Sequence, residues 1–210
     1  MKLITTNTSS AVLRAMALSL IFTFSYFSAI ADNKWQLKKE TDGIKVYTQS
    51  VANTDIKALK ADFMMDGDMD KLASVLLDIS GQKDWVYSTK SSKILKKVGE
   101  QELIYYSEKD MPWPVTNRDA VMRIKIERPT EGTMLVSVSP VNGLVAEKND
   151  IVRVQSSDVI WKVTQVNGST MKVAYQASVD PGGSLPAWVT NMFITKGPLE
   201  SFKKLREMMK

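Results

Sequence analysis

The protein has 210 residues, a formal net charge of +5, and neither cysteine nor histidine. Without imidazole or thiol groups, the usual catalytic triads, acid–base catalysis by histidine, soft metal sites and disulfides are excluded. The mild positive charge does not indicate a nucleic-acid partner. The composition therefore predicts a protein without a metal ion or other cofactor and lowers the expectation of catalysis.

The first 31 residues have the pattern of a secretory signal peptide. Lys2 and Arg14 precede an uncharged apolar run over residues 15–26, and Ala29-Ile30-Ala31 supplies the small residues that signal peptidase requires. The run is shorter than the roughly 20 residues that span a bilayer, and an uncleaved anchor is the alternative. We predict cleavage after Ala31, a periplasmic or secreted protein, and one domain over residues 32–210.

The first half of this domain combines strands with one helix. Alternation of polar and apolar residues indicates strands, and apolar spacing of three and four indicates the helix. In chain order the predicted elements are a short helical segment over residues 35–40, strands over 44–47 and 56–64, a helix capped by Asp68 and ended by Gly81, and a hairpin of strands 90–97 and 102–108.

The second half is rich in strands, predicted over residues 119–128, 134–138, 151–166 and 170–179. The last two form a hairpin, for which a two-residue Asn167-Gly168 loop and a three-residue loop are the alternatives. The longer loop sets Trp161 opposite Tyr175, so that the apolar residues of both strands share one face. We prefer it because the buried face determines register, and we expect Gly168 near the left-handed conformation.

A long helix is predicted from about Leu185 to Met209, with two apolar stripes separated by Gly197-Pro198. Proline lacks a backbone donor and crowds the preceding turn, so we expect a kink there. These elements predict an α+β fold in which a curved antiparallel sheet grips the C-terminal helix.

The segment Pro112–Asp119 resembles the Pro-Trp-Pro-x-x-Asn-Arg-Asp signature of START (StAR-related lipid transfer) domains. Three further motifs occur in the order of the family: residues 42–47, Asp84-Trp85 and residues 180–188. The resemblance extends from about Trp35 to Met209, and the sequence resembles the phosphatidylcholine-transfer branch most.

The resemblance implies a helix-grip fold, as in START and Bet v 1-like proteins, whose sheet surrounds a tunnel that the C-terminal helix closes. It implies one bound lipid, such as a phospholipid or a sterol, and a lid formed by residues 110–117 with the last helix. Several family members carry a cavity arginine six residues beyond the signature arginine. Here that position is Ile124, and Arg123 falls on the opposite strand face, so we expect a mainly apolar tunnel and leave the headgroup open.

The candidate site residues fall into a tunnel wall and a lid or polar set. Residue type alone fits an ordinary core equally well, and the resemblance favours the tunnel. The predicted wall consists of Trp85, Tyr105, Met122, Ile124, Val136, Val138, Trp161, Val163, Met171, Val173, Tyr175, Trp188 and Met192. The lid or polar set consists of Trp113, Arg118, Asp119 and Pro198.

Each member of the second set has alternative roles. Trp113 is either the tip of a membrane-touching lid, which we favour, or a buried loop anchor. Arg118 and Asp119 are either polar contacts near the tunnel or, as we favour, an ion pair that holds the start of a strand. Pro198 is the predicted hinge.

The leading hypothesis is a monomeric lipid carrier or sensor of the cell envelope that contacts membranes transiently. The lysines of residues 90–97 are typical of a solvated strand face, although an anionic membrane could attract them. One alternative is a cyclase- or hydrolase-like enzyme that uses Tyr105, Tyr175 and Asp119 on an apolar substrate. Another is an envelope protein whose cavity is filled by its own side chains.

Overall fold

A computed structural model describes residues 34–51 and 57–210, so the predicted signal peptide lies outside the described residues. Ten strands form one sheet in the order β1-β2-β3-β10-β9-β7-β6-β5-β4, and all of these neighbours are antiparallel; β8 pairs with β6 in parallel. The strands are β1 (Gln36–Thr41), β2 (Ile44–Ser50), β3 (Lys57–Asp66), β4 (Thr89–Gly99), β5 (Glu102–Lys109), β6 (Arg118–Thr130), β7 (Thr133–Pro140), β8 (Val152–Arg153), β9 (Ser156–Asn167) and β10 (Thr170–Asp180).

The helices lie in two groups along the chain. They are α1 (Met69–Leu77), α2 (Gln82–Trp85), α3 (Ala187–Asn191), a π-helical turn (Met192–Lys196) and α4 (Gly197–Met209). The predicted cap of α1 is confirmed, because the backbone N–H of Lys71 donates to Asp68 Oδ1 over 2.8 Å. Within the described part of the chain, no helix combines the length and apolar character needed to cross a membrane.

Two predicted elements are wrong. Residues 35–40 were expected to be helical, but residues 36–41 form β1 because their backbone pairs with β2. The single strand expected over 151–166 is broken between β8 and β9. The break follows from the pairing of β8 with β6, in which Val152 N–H donates to Asn117 O and Val154 N–H donates to Asp119 O.

The predicted register of the β9–β10 hairpin is confirmed, since Trp161 lies opposite Tyr175. Its loop differs from the expectation. Asn167 pairs with Thr170, which leaves a two-residue loop, and a bulge at Val166 restores the register. The expected left-handed conformation of Gly168 is wrong, since its φ is not positive, and Asn167 Oδ1 accepts the Ser169 N–H across the turn.

The C-terminal helix begins at Ala187 rather than Leu185, and its interruption is the π-helical turn before Pro198. Pro198 has no N–H to donate to the preceding turn, and Gly197 N–H donates to Met192 O, five residues back. Beyond this point, Leu199, Phe202 and Leu205 of α4 are buried against the sheet. The predicted helix-grip architecture is confirmed.

Candidate functional site

A cavity of about 620 Å³ lies between the sheet and the helices. This volume is in the range of pockets that hold small organic ligands, roughly 300–1,000 Å³. Its walls come mainly from β5, β6, β9 and β10 and from the segment that runs from α3 to α4. We call the sheet face toward the cavity the inner face. The cavity contradicts the expectation of a fold whose interior is filled entirely by its own side chains.

Seven residues of the predicted wall border the cavity: Trp85, Tyr105, Met122, Ile124, Val138, Trp161 and Tyr175. All seven side chains are buried or partly buried in the same core. Of the lid or polar set, Arg118, Asp119 and Pro198 also border it.

Six residues of the predicted wall do not border the cavity. Val136, Val163, Met171 and Val173 are fully buried in the solid core, Trp188 is exposed, and Met192 is half-buried outside the lining. The solid core arises where α4 packs directly on the sheet. There Val173 lies opposite Phe63, whose ring is 4.7 Å from that of Phe202, so no space remains.

Aromatic rings form the apolar end of the cavity. The ring of Tyr175 is 4.9 Å from Trp161 and 5.1 Å from Phe202, in edge-to-face arrangements that aromatic pairs prefer. Sequence reasoning placed Phe202 on an apolar helical stripe but not at the site. The stripe carried no signal for this role, because core and cavity wall require the same residue type.

The two buried phenols retain their protons at neutral pH. Burial raises the pKa of Tyr105 to about 12, and a hydrogen bond with Gln82 opposes this shift. Burial also raises the pKa of Tyr175 far above that of a free phenol, and the nearby Tyr105 adds to the shift. Neither phenol is therefore a ready general base.

Three cationic residues border the cavity: Lys57 at the start of β3, and Lys109 and Arg118 at the polar end, which sequence reasoning did not pair. Lys109 and Arg118 lie directly opposite each other on β5 and β6, and both border the cavity. Lys109 Nζ donates to Thr89 Oγ1 over 2.6 Å and to Tyr87 O over 3.3 Å. We call these two side chains the cationic pair. Lys109 was missed because the predicted strand ended one residue earlier.

The guanidinium of Arg118 is held by backbone oxygens. It donates to Thr116 O and, over 3.3 Å, to Gly182 O, while its Nε has no partner among the described residues. The expected ion pair between Arg118 and Asp119 is wrong. Asp119 instead accepts from Arg153 at 2.6 and 3.1 Å, because strand alternation directs its carboxylate to the outer face, where Arg153 also donates to the 141–151 loop.

The loop of residues 110–117 is fastened at its base and exposed at its tip. Asn117 Oδ1 accepts the Met111 N–H over 2.9 Å, and Asn117 Nδ2 donates to Glu108 over 3.3 Å. Trp113 is 91% exposed. The alternative of a buried loop anchor is therefore wrong for Trp113.

The described residues contain no group of three or more side chains that could hold a metal ion. Chemically, the site offers an apolar volume with protonated phenols along one wall and a cationic pair at one end. This arrangement suits the binding of an amphiphile.

The START domain family matches residues 28–210. An uncharacterized protein of Pseudomonas aeruginosa is 32% identical over 179 residues, which cover 85% of this chain and 88% of that protein. The phosphatidylcholine transfer protein of Bos taurus is 28% identical, over 87% of this chain and 85% of its own length. The crystal structure of a STAR-related lipid transfer protein fragment from Xanthomonas axonopodis has a TM-score of 0.76 at 28% identity and covers 83% of this chain and 98% of the fragment. The chain belongs to the START domain family.

Proposed function

We propose that this protein binds a single lipid in the cavity between the sheet and the C-terminal helix and acts as a lipid carrier or sensor in the cell envelope. The observation that carries the proposal is the 620 Å³ cavity with its wall of apolar and aromatic side chains. Two of the relatives are named for phosphatidylcholine transfer and lipid transfer, which supports the same class of ligand.

The physics of the proposal is burial of acyl chains. Each methylene group that leaves water for an apolar cavity contributes about 0.8 kcal/mol. Met122, Ile124 and Val138 supply such surroundings on neighbouring strands. A ligand with long apolar chains is therefore held without any covalent chemistry.

We propose binding rather than catalysis because the candidate catalytic groups are either protonated or already engaged in hydrogen bonds. Tyr105 and Tyr175 have raised pKa values and remain protonated. Asp119 is engaged by Arg153 through two hydrogen bonds. A proton acceptor near the ligand is thus lacking among these three residues.

Filling the cavity tests the proposal. Ala120 borders the cavity on β6, whereas Ala174 pairs with exposed Lys162 on the outer face of β10. We expect Ala120→Phe to reduce lipid loading strongly and Ala174→Phe to leave it unchanged. Lipid loading is measured by native mass spectrometry after incubation of delipidated protein with phosphatidylcholine and with phosphatidylglycerol vesicles. A wild-type protein that takes up neither lipid would overturn the proposal.

We further propose that the Trp113 loop touches membranes during lipid exchange. An exposed tryptophan beside two prolines presents a rigid, amphipathic ring that suits the membrane interface. Trp113→Ser should weaken cosedimentation with phospholipid vesicles, whereas Val166→Ser, which removes an exposed apolar side chain from the β9–β10 hairpin, should not. Equal loss in both variants would contradict a specific role of the loop.

The proposed location rests on the pattern of residues 1–31. In a Gram-negative host, the protein should appear in the periplasmic fraction as a monomer with Asp32 at its N-terminus. A full-length protein in the membrane fraction would instead support the uncleaved anchor. Both outcomes are read by fractionation, intact-mass measurement and light scattering.

A further inference from the structure

We infer that Lys109 and Arg118 bind the anionic headgroup of the lipid, a phosphate or carboxylate that leaves the ligand with net negative charge. The inference rests on the proposed function and adds the chemistry of the headgroup and its place in the cavity. It also departs from the expectation drawn from Ile124, because the cations occur at another part of the wall.

The first argument is the arrangement of charge. Lys109 and Arg118 are direct cross-strand partners, so the register brings two basic residues to the same end of the inner face. None of the ion pairs formed within the described part of the chain includes either residue. An anion at this end of the cavity would supply the charge partner that both side chains lack and would accept charge-assisted hydrogen bonds.

The second argument is the distribution of unpaired polar atoms. Over residues 34–51 and 57–210, three buried side-chain polar atoms have no hydrogen-bond partner: Trp85 Nε1, Ser107 Oγ and Arg118 Nε. All three residues border the cavity. Since a buried polar atom without a partner costs free energy, their concentration at one site points to partners that a ligand supplies.

The third argument is the order of residues along the strands. On β5, Tyr105, Ser107 and Lys109 share the inner face, and their partners on β6 are Met122, Ala120 and Arg118. The wall is therefore charged at one end and becomes apolar toward Ile124, about 20 Å away along β6. A headgroup at the cationic pair would direct its acyl chains toward Trp161 and Phe202.

The environment of Lys109 fits an anion in the ligand. Burial lowers the pKa of its ammonium to about 7, because the protein surrounds the charge with too few compensating groups. Asp180 borders the cavity too, but its Oδ1 accepts the Gly182 N–H and it forms no ion pair with the cationic pair. An anionic headgroup would supply the missing compensation and favour the charged amine.

The test compares two phospholipids that share acyl chains and differ in headgroup, and adds a single-chain fatty acid. Delipidated full-length mature protein is titrated with palmitoyl-oleoyl phosphatidylglycerol, with the matched phosphatidylcholine, and with oleate, and binding is read by native mass spectrometry and intrinsic tryptophan fluorescence. We expect an affinity for the anionic lipid at least about tenfold above that for phosphatidylcholine, as one charge-assisted hydrogen bond supplies. Preference for phosphatidylglycerol over both other lipids assigns a phosphate whose charge choline does not neutralise, and preference for oleate assigns a carboxylate.

Variants assign the preference to the cationic pair. Lys109→Met should remove most of the preference for the anionic lipid, and Lys109→Arg should retain it. Lys172→Met makes the same substitution at an exposed position of β10 and should have no effect. Because Arg118 also donates to backbone oxygens, Arg118→Gln is interpreted only alongside its thermal midpoint.

The experiment distinguishes failure of the headgroup assignment from failure of the proposed lipid binding. Equal binding of phosphatidylglycerol, oleate and phosphatidylcholine, unaffected by Lys109→Met, overturns the headgroup assignment and leaves lipid binding intact. Absence of binding for all three lipids overturns the proposed function itself.

Discussion

Neighbouring charged residues of β5 and β6 lie on opposite faces of the sheet and differ in whether they form ion pairs. On the outer face, Glu108 and Asp119 are cross-strand partners, and each carboxylate has a cation: Lys90 at 2.8 Å for Glu108 and Arg153 at 2.6 Å for Asp119. On the inner face, Lys109 and Arg118 have no carboxylate partner within the described chain. We infer from this difference that the ion-paired side chains of the outer face stabilise the fold, whereas the unpaired cations of the inner face are available to a ligand.

The largest effect is expected on the outer face. Asp119→Ala should destabilise the protein by about 3 kcal/mol, because it leaves the buried guanidinium of Arg153 without its partner. Urea unfolding followed by circular dichroism measures the change. The double variant Asp119→Ala/Arg153→Met should recover part of the loss. Additive losses in the double variant would mean that the two side chains contribute independently.

Glu127→Ala provides the matched control for this prediction. Its carboxylate pairs with Lys125 at 2.7 Å, but both side chains are about half exposed. Exposed pairs contribute about 0–1 kcal/mol, so this variant should change the free energy of unfolding little.

On the inner face, a substitution should raise the free energy of unfolding rather than lower it. The pKa of Lys109 falls from 10.5 to about 7 on folding, so between these pH values the unfolded state binds more protons than the folded state. The wild-type protein therefore gains stability as the pH rises through this window, and Lys109→Met lacks the gain. The stability advantage of Lys109→Met over wild type should shrink by about 2 kcal/mol between pH 7 and pH 9.

Urea unfolding of delipidated protein across this pH range measures the Lys109 effect. Lys172→Met makes the same substitution at an exposed position of β10 and should run parallel to wild type. A pH-independent difference for Lys109→Met would show that the amine remains charged in the folded protein.

A smaller effect is expected for the second carboxylate of the outer face. A hydrogen bond from Lys90 is the main cause that lowers the pKa of Glu108, and Asn117 adds to it. A lowered pKa stabilises the fold above the unfolded value of about 4.5 and loses this effect as the pH falls through the folded value. Glu108→Gln should cost about 1 kcal/mol at pH 7 and less at pH 3. A cost that grows toward pH 3 would contradict this account.

The contrast between the faces also explains what the sequence could predict. The α+β architecture, the signature motif and the Trp161–Tyr175 register follow from local patterns and from the need to bury one face of each strand. Which buried residue borders the cavity does not follow from the pattern, because Val163 and Ile124 are both buried strand residues, and only the tertiary packing leaves space beside Ile124.

Charge partners were the weakest part of the sequence analysis for a related reason. Arg118 and Asp119 are adjacent in sequence, yet strand alternation sends their side chains to opposite faces. Arg153 reaches Asp119 from β8, a two-residue strand that no periodicity reveals. Lys109 stands opposite Arg118 because the consecutive strands β5 and β6 pair in a register that the sequence pattern does not reveal.

The smallest change in free energy is expected for a substitution in the C-terminal helix, which covers the inner face, just as a loop covers the outer face. Arg153 fastens the outer loop by donating to Val145 O and Ala146 O. The inner face is covered by the C-terminal helix, whose π-helical turn ends at Gly197 because Pro198 cannot donate to the preceding turn. Pro198→Ala restores that donor and should favour a continuous α-helix over the cavity.

Lipid exchange is the measurement that separates this effect from affinity. We expect Pro198→Ala to slow transfer of a fluorescent phosphatidylglycerol between vesicles severalfold while changing its equilibrium binding less, since the helix covers the bound lipid but must move to release it. Glu200→Ala, on the exposed side of α4, is the control. Equal exchange rates in wild type and Pro198→Ala would mean that lipid leaves without opening of the π-helical turn, and the entrance would then lie on the side of the Trp113 loop.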